Sequence, residues 1–273
     1  MKIFNIIAGL SVALCLNAGV AAAQSTKLRS LDTRNDALAW EAVGRLDIAR
    51  KGHCTGTLIA PDLVLTAAHC VYGKDRKLAE PDSITFQAGL THGKAAAKRK
   101  VAQVEAHVGY VPKGTHDMNN VRHDVALVRL AEPIPTHVLD PFIVHQGNVP
   151  DGPVSVVSYG QGRLDQLSRQ NQCQVLGQRD RIVAVDCDVT FGSSGAPVFT
   201  HQNGRGRIAS VISGGGVYGG KSVAFGMALP ALVSDLKRQM RANAPRPTAQ
   251  VRRLSVGGKK GNSGAKFVTA KGS

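Results

Sequence analysis

Short apolar runs separated by turn residues occupy most of the chain from Leu38 onward. Gly, Pro, Asn or Asp stands between successive runs, and no helical pattern alternates with them. This texture predicts an all-β barrel or sandwich, because a parallel sheet would need helices between its strands. The candidate strands cover residues 42–48, 54–60, 63–68, 83–89, 100–108, 124–130, 154–160, 181–187, 196–200, 207–213 and 224–229.

One amphipathic helix is predicted at the end of this β-rich region. Pro230 begins the segment and basic residues end it at Arg241, which are the helix positions that these residue types prefer. Apolar residues recur at helical spacing, so one face of the helix is expected to pack on the core. They are Leu232, Val233, Leu236 and Met240.

The amino-terminal end has a different composition. Residues 1–23 combine Lys2, an apolar run and three alanines, which is typical of a secretory signal peptide cleaved before Gln24. The run is too short for a membrane anchor, so we expect a secreted or periplasmic protein with no transmembrane segment in the mature chain. Residues 24–37 are polar and are compatible with a propeptide, a linker or an ordered arm. Residues 38–243 form the predicted domain.

The carboxyl-terminal end is strongly basic. Residues 244–273 are rich in Gly, Pro, Ser and Lys, which predicts a disordered tail. They carry seven Lys or Arg and no acid, about half of the formal net charge of +15. A segment of this charge is suited to contact an anionic polymer or the cell envelope.

The cysteines fit an exported protein. Cys15 lies in the signal peptide, which leaves Cys54, Cys70, Cys173 and Cys187. Four cysteines in an exported chain predict two disulfides, with three possible pairings, of which we favour the two local ones, Cys54–Cys70 and Cys173–Cys187. No CxxC pair or close Cys/His cluster appears in the sequence, so no metal site and no cofactor are predicted.

A glycine-flanked serine pair marks the first candidate for chemistry. The stretch "CDVTFGSSGAPVF", residues 187–199, places glycines on both sides of Ser193 and Ser194. A nucleophilic serine needs a sharp turn that also directs backbone N–H groups at a developing oxyanion. Such turns are common, so this motif requires partners elsewhere in the chain.

Two upstream stretches supply those partners. "TAAHC", residues 66–70, places His69 beside a probable disulfide that would fix its loop to the preceding strand. "HDVALVRL", residues 123–130, places Asp124 at the start of an apolar strand. A buried carboxylate there is suited to hold one tautomer of the His69 ring.

Together these stretches resemble the trypsin-like (chymotrypsin-fold) serine proteases, most closely the compact secreted bacterial members. The resemblance runs from about Trp40 to Met240, and the order His, Asp, Ser is the same. It implies two six-stranded antiparallel β-barrels packed together, with a C-terminal helix and a site between the barrels. The α/β-hydrolases do not fit, because His201 and Asp235 follow Ser194 in the wrong order and no helix follows the serine motif.

The resemblance also implies a role for each site residue. His69 would be the general base, Asp124 its orienting carboxylate and Ser194 the nucleophile. The amides of Gly192 and Ser194 would form the oxyanion hole. Ser213 would hydrogen-bond the aspartate, and a substrate-binding strand would consist of Ser213, Gly214 and Gly215.

Three positions depart from relatives or bear on specificity. Ser193 stands where animal members have an aspartate that pairs with a freed amino terminus, so we expect activity with residues 24–37 in place. Asp188 matches the aspartate at the base of the primary pocket of trypsin, which implies a preference for Arg or Lys. Ile212 stands where glutamyl-specific relatives usually have a histidine.

Two functions follow from these observations. The first is a secreted, monomeric serine endopeptidase that acts on protein or peptide substrates without a cofactor. The alternative is a binding protein on the same scaffold, which would attach to nucleic acid, acidic polysaccharide or the envelope through its basic surface and tail.

Overall fold

The computed structural model describes residues 25–115, 117–201 and 205–244. The predicted signal peptide, residues 1–23, and the tail beyond residue 244 lie outside the described residues. The described chain is mostly β-structure, as the sequence predicted. Within it, no helix has the length and apolar character that a membrane crossing requires.

Six antiparallel strands close the first barrel in the order β2-β3-β4-β7-β6-β5. Their apolar side chains alternate inward and form one buried core with neighbouring segments. The strands are β2 (Val43–Ile48), β3 (Gly52–Ala60), β4 (Leu63–Thr66), β5 (Ile84–Ala88), β6 (Ala97–Ala106) and β7 (Ala126–Leu130).

Six further strands form the second barrel in the order β9-β10-β13-β12-β11-β8, which closes through pairing of β8 with β9. A helix, α3 (Pro230–Ala242), follows the last strand. The strands are β8 (Pro153–Gly160), β9 (Arg163–Arg179), β10 (Ile182–Val185), β11 (Pro197–Thr200), β12 (Arg207–Tyr218) and β13 (Lys221–Ala228). The predicted architecture of two six-stranded barrels and a C-terminal helix is therefore confirmed.

The longest strand was not predicted. Each of the eleven candidate segments overlaps an observed strand, but β9 spans seventeen residues that the apolar pattern missed. Gln166, Ser168 and Gln170 on this strand are buried even though they are polar. Each of the three side chains takes part in a hydrogen bond, which offsets part of the cost of burying it, while Gln166 Oε1 has no partner among the described residues. A search for apolar alternation cannot detect such a strand. Two short helices were also missed, α1 (Arg34–Leu38) and α2 (Met118–Val121).

Residues 25–31 form an ordered arm on the outside of the second barrel. A two-residue strand, β1 (Arg29–Ser30), pairs antiparallel with β9. Thr26 N donates to Gln172 O at 2.8 Å, and Leu31 N donates to Leu167 O at 2.8 Å. The arm is thus bonded to β9 at Thr26, at β1 and at Leu31.

The two barrels meet at Thr55 on β3. Its backbone N–H donates to Ser194 O at 2.8 Å, and its hydroxyl donates to Gly192 O at 2.9 Å. The same hydroxyl accepts from Tyr159 N at 3.1 Å. A single buried threonine of the first barrel therefore holds two carbonyl groups of the loop that carries Ser194.

Both disulfides have the predicted local pairing. Cys54 on β3 is bonded to Cys70, sixteen residues later, and Cys173 on β9 is bonded to Cys187. The first ties the turn that contains His69 to the sheet. The second ties the start of the Ser194 loop to β9.

We predict that a Cys54→Ala/Cys70→Ala variant loses about 3 kcal/mol of unfolding free energy, because a loop of this length gains chain entropy when the crosslink is removed. Denaturant unfolding of the non-reduced proteins measures the loss. A Cys173→Ala/Cys187→Ala variant, which opens a loop of similar length, serves as the comparison. A loss below about 1 kcal/mol in the first variant would contradict the prediction.

Candidate active site

His69 lies at the entrance of a short 3-10 helix, Ala68–Val71, directly after β4. The neighbouring Cys70 fixes this turn through its disulfide to β3. The ring nitrogen Nδ1 of His69 is 2.7 Å from Asp124 Oδ2. Since a carboxylate only accepts, Nδ1 carries the hydrogen and Nε2 is left with a free lone pair. About 30% of the His69 side chain is exposed.

Asp124 is a buried carboxylate with three hydrogen bonds from two elements. Its Oδ1 accepts from the backbone N–H of His69 at 2.8 Å, and its Oδ2 accepts from the ring of His69 and from the hydroxyl of Ser213 at 2.5 Å. Burial alone would raise the pKa of Asp124, but the His69 interactions and the Ser213 hydrogen bond hold it below its ordinary value. Asp124 therefore stays ionised and orients the ring.

Ser194 is presented by the Ser194 loop, which we define as residues 186–196 between β10 and β11. Gly192 and Gly195 have φ angles of +97° and +80°, which residues other than glycine rarely adopt. A Cβ at Gly195 would also overlap the Thr55 carbonyl and the Thr66 hydroxyl. The hydroxyl of Ser194 is half-buried and lies 3.5 Å from Ser213 O.

Two backbone amides in this loop have no hydrogen-bond acceptor among the described residues. Ser193 N donates to Thr190 O, and Gly195 N donates to Ile212 O. The amides of Gly192 and Ser194, which alternate with these, donate to no group among the described residues. Two unpaired N–H donors beside a serine hydroxyl make an arrangement suited to an oxyanion.

A cavity of about 730 Å³ brings most of the predicted residues together. His69 and Ser194 lie on its wall, and so do Ser213, Gly214 and Gly215 of β12. Further lining comes from residues that the sequence did not single out: Gln161, Val189, Thr190, Phe191 and Ile212.

Asp188 is not brought into this cavity. It was expected at the base of the pocket, but it is exposed and does not line the cavity wall. The reason is that its backbone N–H is bonded to the buried Gln170 Oε1 at 2.6 Å, which fixes this part of the loop against β9. The chain enters the cavity wall only at Val189.

A half-buried arginine, Arg163, was missed by the sequence analysis. Ser193 is fully buried, and its hydroxyl oxygen accepts from Arg163 Nη2 at 3.1 Å and from Thr190 N at 3.2 Å. Arg163 also donates to the carbonyl and the hydroxyl of Ser158. Burial lowers the pKa of Arg163 to about 10, while the charge of Asp188 raises it. The guanidinium group of Arg163 thus lies against the hydroxyl of Ser193, the residue that precedes Ser194.

A half-buried lysine, Lys51, supports the His69 turn in a similar way. Lys51 donates through Nζ to the carbonyl oxygens of His69 and Tyr72, at 2.6 Å for Tyr72. Burial lowers the pKa of Lys51 to about 8, although the charge of Asp124 acts in the opposite direction. No sequence signal distinguished Lys51, because it stands in an ordinary polar turn between β2 and β3.

The structure brings Cys54, His69 and Cys70 within the spacing of a metal-ligand group. Both sulfur atoms belong to the Cys54–Cys70 disulfide, so neither is available as a thiolate ligand. The donor set of this group is therefore not suited to a metal ion.

We predict that the stability of the wild-type protein rises relative to Lys51→Met as pH increases from 8 to 10.5. Lysine has a pKa of about 8 in the folded chain and of 10.5 when unperturbed, so the unfolded state binds more protons in this range. The free-energy cost of burying the charged Lys51 ammonium is fully present below pH 8. It decreases as the pH rises from 8 to 10.5. Urea unfolding of both proteins from pH 7 to 10.5 tests this, and a constant difference between them would contradict it.

Comparisons with known proteins agree with this geometry. Residues 54–206 match the family described as trypsin-like peptidase domain. Glutamyl endopeptidase of Bacillus licheniformis is 24% identical over 189 residues, which cover 67% of this chain and 58% of that protein. Serine protease SP24D of Anopheles gambiae is 30% identical over 160 residues, which cover 56% of this chain and 54% of that protein.

A solved structure, described as Glu endopeptidase in complex with MPD, has the same fold. It superimposes with a TM-score of 0.63 at 18% identity and covers 78% of this chain and 96% of the other. The chain spans a little over half the length of the curated relatives that it matches. The family match covers more than half of the chain itself, from Cys54 on β3 to Gly206 beyond the Ser194 loop. The chain belongs to the family of trypsin-like peptidase domains.

Proposed function

We propose that this protein is a serine endopeptidase that uses Ser194, His69 and Asp124. The observation that carries the proposal is one cavity whose wall contains both His69, with its ring hydrogen-bonded to Asp124, and Ser194, whose own amide and that of nearby Gly192 donate to no described group. Hydrolysis of a peptide bond needs a nucleophile, a base and a site for negative charge, and these features match those needs.

The first half of the reaction forms an acyl-enzyme. Ser194 Oγ attacks the carbonyl carbon of the scissile bond while His69 Nε2 takes the hydroxyl proton. The carbonyl oxygen becomes an oxyanion, which the amides of Gly192 and Ser194 are positioned to bind. His69 then gives the proton to the leaving amine, the C–N bond breaks and the acyl group stays on Ser194.

The second half regenerates the serine. Water attacks the acyl carbon, His69 Nε2 takes a proton from it, and the same proton returns to Ser194 Oγ as the acid product leaves. Asp124 stabilises the imidazolium ring formed in each half without taking the proton, since its three hydrogen bonds favour the charged carboxylate.

The preference for the residue before the scissile bond is proposed from the cavity lining. Among the described residues that line it, His69 is the single ionisable side chain. A charged substrate side chain would lose its hydration there without gaining a counter-ion, which is costly. We therefore expect an uncharged side chain, contacted by the Thr190 hydroxyl, the Gln161 amide and the apolar walls of the cavity.

Two other preferences for the residue before the scissile bond are alternatives to an uncharged side chain. Selection of Arg or Lys was predicted from Asp188, which the structure leaves outside the cavity lining. Selection of glutamate is suggested by the name of the Bacillus licheniformis relative, although Ile212 here occupies the wall where a pocket histidine was considered.

Export and the basic tail remain proposals from the sequence. Two disulfides support folding in an oxidising compartment, so we propose a secreted or periplasmic protein that acts as a monomer. Contact of residues 244–273 with an anionic polymer remains a prediction from charge alone, because nearly all of this segment lies outside the described residues. The same holds for the alternative role as a binding protein.

We predict that a fluorophosphonate probe labels the folded wild-type protein and does not label Ser194→Ala. Asp124→Asn should lower kcat on a peptide substrate by about 10⁴-fold, because the wrong tautomer of His69 is then stabilised. Active-site labelling and steady-state kinetics measure these effects. Ser222→Ala is the control for labelling, since this serine is exposed on β13 and lies outside the cavity lining. Absence of wild-type labelling would contradict the proposal.

We predict that Asp188→Asn leaves the cleavage preference unchanged, because its carboxylate does not line the cavity. A positional-scanning peptide library, run on wild type and on the variant, measures this preference and identifies the favoured residue. Cleavage after Arg or Lys that disappears in the variant would restore the role of Asp188. Cleavage after glutamate in both proteins would instead favour the glutamyl alternative.

A further inference from the structure

We propose that the amino-terminal arm, residues 25–31, is a permanent support of the Ser194 loop and that Gln170 is the positioning residue that connects the two. The proposal rests on the proposed peptidase function, since it concerns the same loop. It assigns a role to a segment whose sequence was compatible with a removable propeptide. According to this proposal, removal of the arm lowers the peptidase activity, whereas removal of an inhibitory propeptide would raise it.

Gln170 bonds the arm at one end of its amide and the loop at the other. Its Nε2 donates to Thr26 O at 2.7 Å, and its Oε1 accepts from Asp188 N at 2.6 Å. The side chain is 3% exposed. Both partners fix the orientation of the amide, because only Nε2 can donate and only Oε1 can accept. A single buried side chain thus joins a segment at the amino terminus to the loop that carries Ser194.

The arm makes a second contact two residues earlier in the loop. Ser25 donates its hydroxyl to Asp186 Oδ2 at 2.7 Å, while Asp186 Oδ1 accepts from Gln174 N at 2.5 Å. Cys187, which lies between the two contact points, is bonded to Cys173 on β9. The start of the loop is therefore held by the arm on one side and by β9 on the other.

Further hydrogen bonds restrain the loop between Asp188 and the amides of Gly192 and Ser194. Thr190, two residues on, donates through its N–H to the Ser193 hydroxyl and accepts from Ser193 N. Gln161 N donates to Phe191 O at 2.7 Å. The unpaired amides of Gly192 and Ser194 follow immediately. A shift of the loop at Asp188 would therefore change where these amides point.

Loss of the arm would leave a buried amide without its acceptor. Gln170 Nε2 would have no partner at Thr26 O, and an unsatisfied buried donor costs free energy comparable to a lost hydrogen bond. Rotation of the amide to recover a partner would break the bond to Asp188 N. The arm therefore keeps Gln170 in the rotamer that holds the loop.

The chain offers a matched control on the same strand. Gln166, four residues before Gln170, is 8% exposed and donates through Nε2 to Leu31 O of the arm at 2.6 Å. It bonds the arm as Gln170 does but makes no hydrogen bond to the Ser194 loop among the described residues. Gln166→Met and Gln170→Met therefore remove the same kind of arm contact and differ in the connection to the loop.

The experiment compares four variants with the wild-type protein that begins at residue 24. Two are the substitutions Gln170→Met and Gln166→Met, the third is a truncated form that lacks residues 24–31, and the fourth is this truncated form with Gln170→Met. We expect kcat to fall about 10-fold in Gln170→Met and in the truncated form, with KM changed less than about twofold, because oxyanion donors act in the transition state. The combined form should lose less than about twofold more. Gln166→Met should retain kcat within about twofold even where its melting temperature falls.

Hydrogen exchange provides a readout that does not depend on activity. In the Ser194→Ala background, amides of residues 186–195 should exchange faster in Gln170→Met and in the truncated form than in Gln166→Met. Unchanged exchange there would overturn the proposal whether or not the protein is a peptidase. Full activity of the truncated form, equal kcat losses in the two glutamine variants, or independent additive losses in the combined form would also overturn it. Failure of wild type to be labelled or to cleave, with the expected exchange differences, would instead count against the proposed function alone.

Discussion

The relative position of His69 and Ser194 depends on two adjacent residues of one strand. Cys54 on β3 holds the His69 turn through its disulfide, and Thr55 holds the Ser194 loop through its backbone N–H and its hydroxyl. His69 and Ser194 come from different barrels, so their spacing would otherwise vary with any movement between the barrels. Gly195 permits this close approach, since a side chain there would overlap the Thr55 carbonyl. The geometry of the site is thus a property of the barrel interface.

One buried and two half-buried ionic groups lie near this interface, and each has its own set of partners. Asp124 accepts three hydrogen bonds, Arg163 donates to Ser158 and Ser193, and Lys51 donates to two carbonyl groups of the His69 turn. Buried polar networks are costly when they are incomplete and rigid when they are satisfied. The network therefore fixes both loops of the site before any substrate binds. It also explains how Ser193 is accommodated at a fully buried position.

Apolar alternation was sufficient to predict a β-rich chain and the helix. The resemblance of the stretches around His69, Asp124 and Ser194 to trypsin-like proteases implied the two barrels, and the favoured local pairing of the cysteines is the one that the structure contains. Apolar alternation failed on β9, where Gln166, Ser168 and Gln170 face the interior. A buried polar residue is stabilised by partners that are distant in sequence, and one sequence contains no record of which residues become partners. The same reason explains why Arg163 and Lys51 were missed. Asp188 was placed in the cavity by resemblance, whereas the hydrogen bond from its backbone to Gln170 decides where it lies.

The arm also has a consequence for the order of folding. Thr26 pairs with Gln172, 146 residues later in the chain, and contacts of such separation form late because closing a long loop costs entropy. Residues 25–31 must therefore pair after β9 has entered the second barrel. If Gln170 holds the Ser194 loop as proposed, the ability to hydrolyse is acquired only by chains that have completed both barrels. A partly folded molecule would then have little hydrolase activity and would not cleave neighbouring copies that are still unfolded.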